Sequence, residues 1–161
     1  RSMNKEEIKF EVTLLAEYWD NPPVAKIYID NVCKWDKDLL PGLNTITFND
    51  TLDFTEHTLR IERSNKTDDQ HQSDEKTQLL SLEKLVIDGV NIRDIVWTTS
   101  WYEPEYPKLW ALMQKKQGNV LEETVLAGTT WGHNGNWYLN FTSPVYMHII
   151  RWMNRELDAV I

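Results

Sequence analysis

Apolar and polar residues alternate along the first part of the chain. Ile8, Phe10, Val12 and Leu14 share one phase, and Lys9, Glu11 and Thr13 fill the other. A period of two residues is typical of a strand with one face in the core. Similar short runs, separated by turn residues, predict further strands at 25–29, 32–35, 46–48, 59–61 and 79–87. The chain is therefore predicted to be mainly β, a jelly-roll-like antiparallel β-sandwich.

The pattern changes after residue 97. Pro107 predicts the start of a short helix near 107–117, because proline is favoured in the first helical turn. Asn134-Gly135 is a strong two-residue turn signal and predicts a hairpin across 131–141. These features suggest that the later residues build onto a sandwich rather than continue it.

A C-terminal amphipathic helix is predicted after Ser143-Pro144, where the serine would be the N-cap. Its apolar residues at helical spacing are Tyr146, Ile149, Ile150 and Met153. No repeat and no Gly/Ser/Pro-rich linker divides the chain. We therefore expect a single domain over 3–161, with a β-sandwich at 3–97 and an aromatic-rich extension, 98–161, packed on it.

The net charge and the cysteine content limit the partners and the cellular compartment that the sequence predicts. The chain of 161 residues has a formal net charge of −8, which disfavours nucleic acid and membrane surfaces as partners. The single cysteine, Cys33, excludes an internal disulfide. The N-terminus runs directly into a strand pattern with no signal-peptide core. The sequence therefore predicts a protein that is made in a reducing cytoplasm.

A polar loop between two strand patterns is the first candidate site. Calcium takes six to eight oxygen ligands, and an irregular loop can wrap them around one ion. The candidate calcium ligands are Asn65, Asp68, Asp69 and Asp74. The alternative is a solvated acidic loop with no ion.

The segment from Leu52 to Gly89, with Leu52-Asp53, His57 and Asp88-Gly89 around this loop, resembles the calcium-dependent carbohydrate-binding modules of the xylan-binding jelly-roll type. The resemblance implies a jelly-roll fold, a bound calcium and a sugar ligand. It departs from the family pattern at Lys66, which stands where the family has an aspartate directly after the asparagine.

An aromatic set is the second candidate site. Flat aromatic faces pack on the C–H faces of sugars, while amide and imidazole groups take the hydroxyls. The candidate ligand-binding residues are Trp101, Tyr102, Tyr106, Trp131, His133, Asn134 and Trp137. The alternative is that most of these aromatics pack in the core.

The order of three later motifs resembles small uncharacterised proteins of tailed bacteriophages. The motifs are E-P-E-Y-P at 103–107, W-G-H-N-G-N-W at 131–137 and S-P-V-Y at 143–146. This resemblance implies a phage-encoded protein, made in the host cytoplasm, for which association with the virion is one option.

No nucleophile elbow, P-loop, dinucleotide-binding or zinc-protease motif is present, so we expect no enzyme activity. The leading hypothesis is a non-catalytic glycan-binding module, assisted by calcium. A second hypothesis is a phage structural or protein-interaction module, including a homo-oligomer, with no sugar ligand. A third is an early phage protein that binds a host factor.

Overall fold

The computed structural model describes residues 4–67, 78–93 and 99–160, with side chains up to residue 154. Its elements in chain order are β1 (Lys5–Tyr18), β2 (Val24–Ile29), β3 (Val32–Asp38), β4 (Gly42–Asp53), β5 (Glu56–Ser64), β6 (Gln78–Ile87), β7 (Val90–Asn91), β8 (Trp101–Pro104), α1 (Lys108–Lys116), β9 (Val125–Leu126), β10 (Thr130–Trp131), β11 (Gly135–Thr142) and α2 (Val145–Val160). Neither helix is long and apolar enough to cross a membrane within these described residues.

The strands form two antiparallel sheets. Sheet I has the order β10-β6-β1-β4, and β7 also pairs with β6. Sheet II has the order β3-β2-β5-β11-β8-β9. The chain passes repeatedly between them, since β4, β6 and β10 in sheet I alternate with β5, β8 and β11 in sheet II. The predicted jelly-roll-like β-sandwich is confirmed.

The core lies between the sheets and follows the predicted alternation. Ile8, Phe10, Val12 and Leu14 of β1 are all 0% exposed. Sheet II supplies the facing side chains from β2, β5 and β11, which are Ala25, Ile27, Ile29, Leu59, Ile61, Trp137, Leu139 and Phe141. Alternate residues of β2, β5 and β11 and of most of β1 therefore point into the sandwich, and the others point away from it.

The sheets do not divide at residue 97. Strand β11 lies between β5 and β8 in sheet II, and β10 pairs with β6 in sheet I. Strands β8 to β11 therefore complete both sheets instead of packing on a finished sandwich. An open edge of β5 would leave backbone groups unpaired, and β11 pairs with that edge over eight residues.

The hairpin predicted across 131–141 is wrong. Thr130 and Trp131 belong to sheet I, whereas the strand that begins at Gly135 belongs to sheet II. The Asn134-Gly135 pair thus lies where the chain crosses between sheets. A Cβ atom on Gly135 would lie 2.3 Å from the Glu103 carbonyl oxygen, so glycine permits the close approach of β11 to β8.

Both predicted helices are present. Pro107 precedes α1, and Gly118 follows it in the left-handed conformation (φ 82°). Among the α2 side chains that the structure describes, up to residue 154, Val145, Ile149 and Trp152 are buried.

The predicted apolar stripe of α2 is partly wrong, because Tyr146 and Met153 are 68% and 56% exposed.

A side chain of β1 holds the first residues of α2 in place. Glu6 Oε1 accepts hydrogen bonds from the Ser143 hydroxyl and the Val145 N–H, at 2.6 and 2.7 Å. A carboxylate at this position also stabilises the positive end of the helix dipole.

A fully buried arginine joins the two sheets. Arg63 of β5 is 0% exposed. Its Nη1 donates to Gln78 Oε1 at 2.8 Å and to Asn134 Oδ1 at 2.9 Å, its Nη2 donates to the Gln78 carbonyl at 2.5 Å, and its Nε donates to the Trp131 carbonyl at 3.3 Å. Burial lowers the pKa of Arg63 to about 10, so the group stays charged at neutral pH.

Replacing this side chain should destabilise the whole sandwich. In the Arg63→Leu variant the Gln78 and Trp131 oxygens lose their charged donor while they stay buried, and Asn134 Oδ1 keeps only its bond from the Lys66 N–H. Each such group costs about 1–3 kcal/mol, so we expect a loss of about 3 kcal/mol or more in the free energy of unfolding. Urea denaturation measures it. The control is Arg151→Leu on the exposed side of α2, which should unfold like the wild type. Equal midpoints for the two variants would contradict a bridging role for Arg63.

Candidate functional site

Three of the predicted ligand-binding aromatics lie in the core. Tyr102, Trp131 and Trp137 are 3%, 1% and 0% exposed. Tyr102 stacks on Trp131 with ring centroids 5.3 Å apart, and Trp131 packs on Trp137 at 6.1 Å. Their predicted role as ligand contacts is wrong, because each stands in the inward phase of its strand. They fill the sandwich instead.

The side-chain amide of Asn134 is hydrogen-bonded to the Arg63 guanidinium and to the backbone of Lys66. Its Oδ1 accepts hydrogen bonds from Arg63 and from the Lys66 N–H at 2.9 Å, and its Nδ2 donates to the Lys66 carbonyl at 3.1 Å. These hydrogen bonds hold the end of β5 against the segment that crosses between the two sheets. The amide predicted to bind a ligand is therefore a structural link.

Tyr106 and His133 form a second aromatic cluster with Trp110 of α1. The Tyr106 and Trp110 rings stack at 5.8 Å, and both lie within 5 Å of the His133 ring, at 4.9 and 4.8 Å. The Tyr106 hydroxyl donates to the Glu122 carbonyl at 2.7 Å. The cluster attaches α1 to the sandwich. Tyr106 and His133 stay partly exposed in it, so their role as ligand contacts remains a prediction.

Among the predicted calcium ligands, only Asn65 lies within the described residues, and Asp68, Asp69 and Asp74 lie outside them. Asn65 Nδ2 donates to the Pro22 carbonyl at 2.8 Å and to Asn21 Oδ1 at 3.2 Å. Lys66 lies beside it, and burial together with the charge of Arg63 lowers the pKa of Lys66 to about 8. Among the described side chains of residues 4–67, 78–93 and 99–154, no group of three His, Cys, Asp or Glu is placed to hold a metal ion.

A groove crosses the outer face of sheet II. Its volume is about 420 Å³, and it is lined by Asp30, Asn31, Thr58, Arg60, Trp101, Tyr138 and Asn140. Trp101 is the one residue of the predicted aromatic set that lines it. The others come from β5, from β11 and from the turn between β2 and β3.

The strand register creates a row of four large side chains, of which Arg60, Tyr138 and Trp101 line this groove. Tyr28 pairs with Arg60, Arg60 with Tyr138, and Tyr138 with Trp101. The row thus crosses β2, β5, β11 and β8, a span of three strand spacings of about 4.8 Å each. All four side chains are partly exposed on the face that points away from the core. Strand pairing thus brings into one row residues that lie as far as 110 positions apart in the sequence, namely Tyr28 and Tyr138.

The row is held rigid by contacts between its members. The rings of Trp101 and Tyr138 stack at 5.2 Å with an interplanar angle of 14°. The guanidinium carbon of Arg60 lies 3.9 Å from the centre of the Tyr28 ring, a cation–π contact. Arg60 Nη1 also donates to Asn136 Oδ1 at 2.8 Å and lies 3.5 Å from Glu62 Oε2. The wall of the groove is therefore built before any ligand arrives.

Polar groups occupy one end of the groove. Asp30 and Asn31 form the turn between β2 and β3, with φ values of 50° and 67° that Asp and Asn tolerate better than most residues. The Thr58 hydroxyl donates to Asn140 Oδ1 at 2.8 Å. Burial and the nearby Glu103 carboxylate raise the pKa of Tyr138, so its phenol stays protonated near neutral pH. The groove thus combines an aromatic wall with hydroxyl, amide and carboxylate groups.

The sequence contained the signal for this groove. Once Trp137, Leu139 and Phe141 are assigned to the core, alternation places Tyr138 and Asn140 on the outer face. The same rule places Tyr28 outside, between Ile27 and Ile29. Alternation could not show that these strands are neighbours, because strand order and register depend on the tertiary fold.

The fold is similar to that of a known binding module. No family model matches the sequence, and no curated protein matches it. A solved structure described as vCBM60 in complex with galactobiose is similar to this chain with a TM-score of 0.51 at 10% sequence identity. The similarity covers 83% of this chain and 97% of that one. At this identity the comparison shows a shared fold.

Proposed function

We propose that this protein is a non-catalytic binding module for a glycan or a sugar-containing ligand, and that the groove on sheet II is the binding site. The observation that carries the proposal is the cross-strand row of Tyr28, Arg60, Tyr138 and Trp101 with polar groups at one end. The similarity of the fold to a structure that contains galactobiose supports the same class of ligand.

The chemistry of the groove suits a sugar. One face of a pyranose ring presents C–H groups, which pack on the aromatic wall formed by Trp101 and Tyr138. Its hydroxyl groups then meet the Asp30 carboxylate, which accepts hydrogen bonds, and the side-chain amides of Asn31 and Asn140, which accept and donate them. A rigid wall lowers the entropy that is lost on binding. The groove is open, which suits a chain of sugars better than a single buried ring.

Calcium assistance is a separate part of the proposal. It rests on the oxygen-rich composition of residues 65–74 and on the resemblance of residues 52–89 to calcium-dependent modules. The cations Arg63 and Lys66 at the base of this segment oppose a further positive charge nearby. A calcium ion there would need several carboxylates from Asp68, Asp69 and Asp74 to offset that repulsion.

A second candidate function is a protein contact through α1. This helix has no buried residue, and its Leu109, Leu112 and Met113 are 77%, 56% and 59% exposed. Exposed apolar groups at this density usually mark an interface. The helix also has Lys108, Lys115 and Lys116 and no acidic residue, although the whole chain has a net charge of −8. A second copy of this acidic chain would therefore complement it.

The glycan proposal is tested by measuring oligosaccharide binding with a glycan array, followed by calorimetry on each hit. Trp101→Ala and Tyr138→Ala should each weaken binding on the order of tenfold, because each removes part of the stacking wall. Trp19→Ala is the matched control, since Trp19 is 63% exposed and does not line the groove. The proposal fails if the wild type binds no glycan, or if Trp19→Ala weakens binding as much as the groove variants do.

Calcium binding is tested by thermal melts with millimolar calcium and with a chelator. A native-state site raises the melting temperature by mass action. The rise should disappear in Asp68→Ala or Asp74→Ala and persist in Asp36→Ala, which lies in β3 outside the loop. If the melting temperature of the wild type is the same in calcium and in chelator, the calcium part of the proposal is wrong and the groove proposal is unaffected.

Self-association is tested by light scattering across a range of protein concentrations. If α1 binds a second copy, the apparent mass should rise with concentration, and the variant Leu109→Ser with Met113→Ser should stay monomeric. Tyr146→Ser on the exposed face of α2 is the control. A monomer mass at every concentration would exclude the homo-oligomer.

A further inference from the structure

The groove contains one carboxylate that is held on both oxygens. The Thr58 N–H donates to Asp30 Oδ1 at 2.9 Å, and His57 Nδ1 lies 2.5 Å from Asp30 Oδ2. The Asp30 N–H in turn donates to the Thr58 carbonyl at 3.0 Å. The Asp30 side chain is nevertheless 44% exposed and lines the groove. It therefore presents its remaining lone pairs to a ligand in a fixed orientation.

The histidine behind this carboxylate has acceptors at both ring nitrogens. His57 is 5% exposed. Its Nε2 lies 2.8 Å from the Asp53 carbonyl oxygen and 3.2 Å from Asp53 Oδ1, while its Nδ1 faces Asp30. A neutral imidazole has one N–H and can donate in only one of these directions, whereas an imidazolium donates in both. The geometry thus favours the charged ring.

We infer that Asp30 is the carboxylate that accepts hydrogen bonds from sugar hydroxyls in the groove, and that His57, as an imidazolium ion, is its positioning residue. This inference rests on the proposed glycan site and adds a residue that does not touch the ligand. It also defines the chemical class of the ligand further, as a glycan whose hydroxyls donate to a carboxylate.

The titratable groups around His57 all favour its charge. Asp30 faces it from the β2–β3 turn and Asp53 faces it from the end of β4. Among the residues that the structure describes, its other contacts are the Thr55 hydroxyl at 3.4 Å and the Phe141 ring, with centroids 5.7 Å apart, and neither titrates. Burial alone would lower the pKa of His57, but the hydrogen bonds to Asp30 and Asp53 and the charges of both carboxylates raise it above the usual 6.5.

The protonation state of His57 sets the direction in which stability and sugar affinity change with pH. Below the raised pKa of His57 the ring is charged and both bonds are intact. As the pH rises through that value, the ring loses a proton and one of its two bonds, and Asp30 loses its counter-charge. The stability that this pair contributes is therefore fully present below the unfolded pKa of about 6.5 and is lost as the pH rises through the folded pKa. Sugar affinity should fall over the same range.

The experiment is calorimetric titration with galactobiose, xylobiose and cellobiose between pH 5 and pH 9. The wild type should bind its best disaccharide about tenfold more weakly above the His57 pKa than below it, which is the size expected when one charge-assisted hydrogen bond is lost. His57→Gln should give a flat pH profile, because glutamine does not titrate. His148→Gln on α2 is the matched control and should keep the wild-type profile.

A second measurement needs no variant. By linkage, a sugar that binds better when His57 is charged must raise the pKa of His57 when it is bound. NMR titration of the ring proton with and without saturating disaccharide measures this shift, which a purely structural histidine would not show.

The outcomes separate the two proposals. A flat wild-type profile, a profile that persists in His57→Gln, or a His57 pKa that the sugar leaves unchanged would overturn the positioning role and leave the glycan site standing. If the wild type binds none of the disaccharides and no array glycan at any pH, the proposed function itself fails and this inference fails with it.

Discussion

The buried guanidinium of Arg63 is the constraint on which much of this structure depends. It lies at the end of β5 and binds the backbone or side chains of β6, β10 and the segment that leads into β11. A buried charge is costly unless its hydrogen bonds are satisfied. The four bonds of Arg63 therefore fix the separation of the sheets at this end and fix the path of the chain where it crosses between them. Gln78 and Asn134 are best understood as parts of that network.

The outer groove is a consequence of the same arrangement. Because Arg63 and the inward aromatics hold β11 between β5 and β8, Tyr138 stands between Arg60 and Trp101. Each of these side chains lies on the solvent phase of its strand, and no one strand could make the row. The same strand register therefore sets both the inward side chains of the core and the outward side chains of the groove. A slip of a single residue would exchange them.

Alternation predicted most of the strands and the inner face of β1, because burial of one sheet face leaves a period of two in the sequence. Helix α1 was also predictable, since Pro107 and Gly118 carry local signals for its start and its end. The failures have a common cause. The Asn134-Gly135 pair gives the same signal in a tight hairpin and in a crossing between sheets, and an aromatic residue gives the same signal in a core and on a platform. Trp131, Trp137 and Tyr102 were therefore assigned to a surface that they do not reach.

The mainly β class, the positions of most strands and the two helices are predictable from the sequence, since they depend on neighbours within a few residues. The pairing of the strands, the completion of both sheets by β8 to β11 and the row of Tyr28, Arg60, Tyr138 and Trp101 are visible only in the folded chain. The reason is that strand pairing joins residues far apart in the chain. Its energy comes from long-range packing and hydrogen bonds. The local pattern of polar and apolar residues does not identify the partner strand.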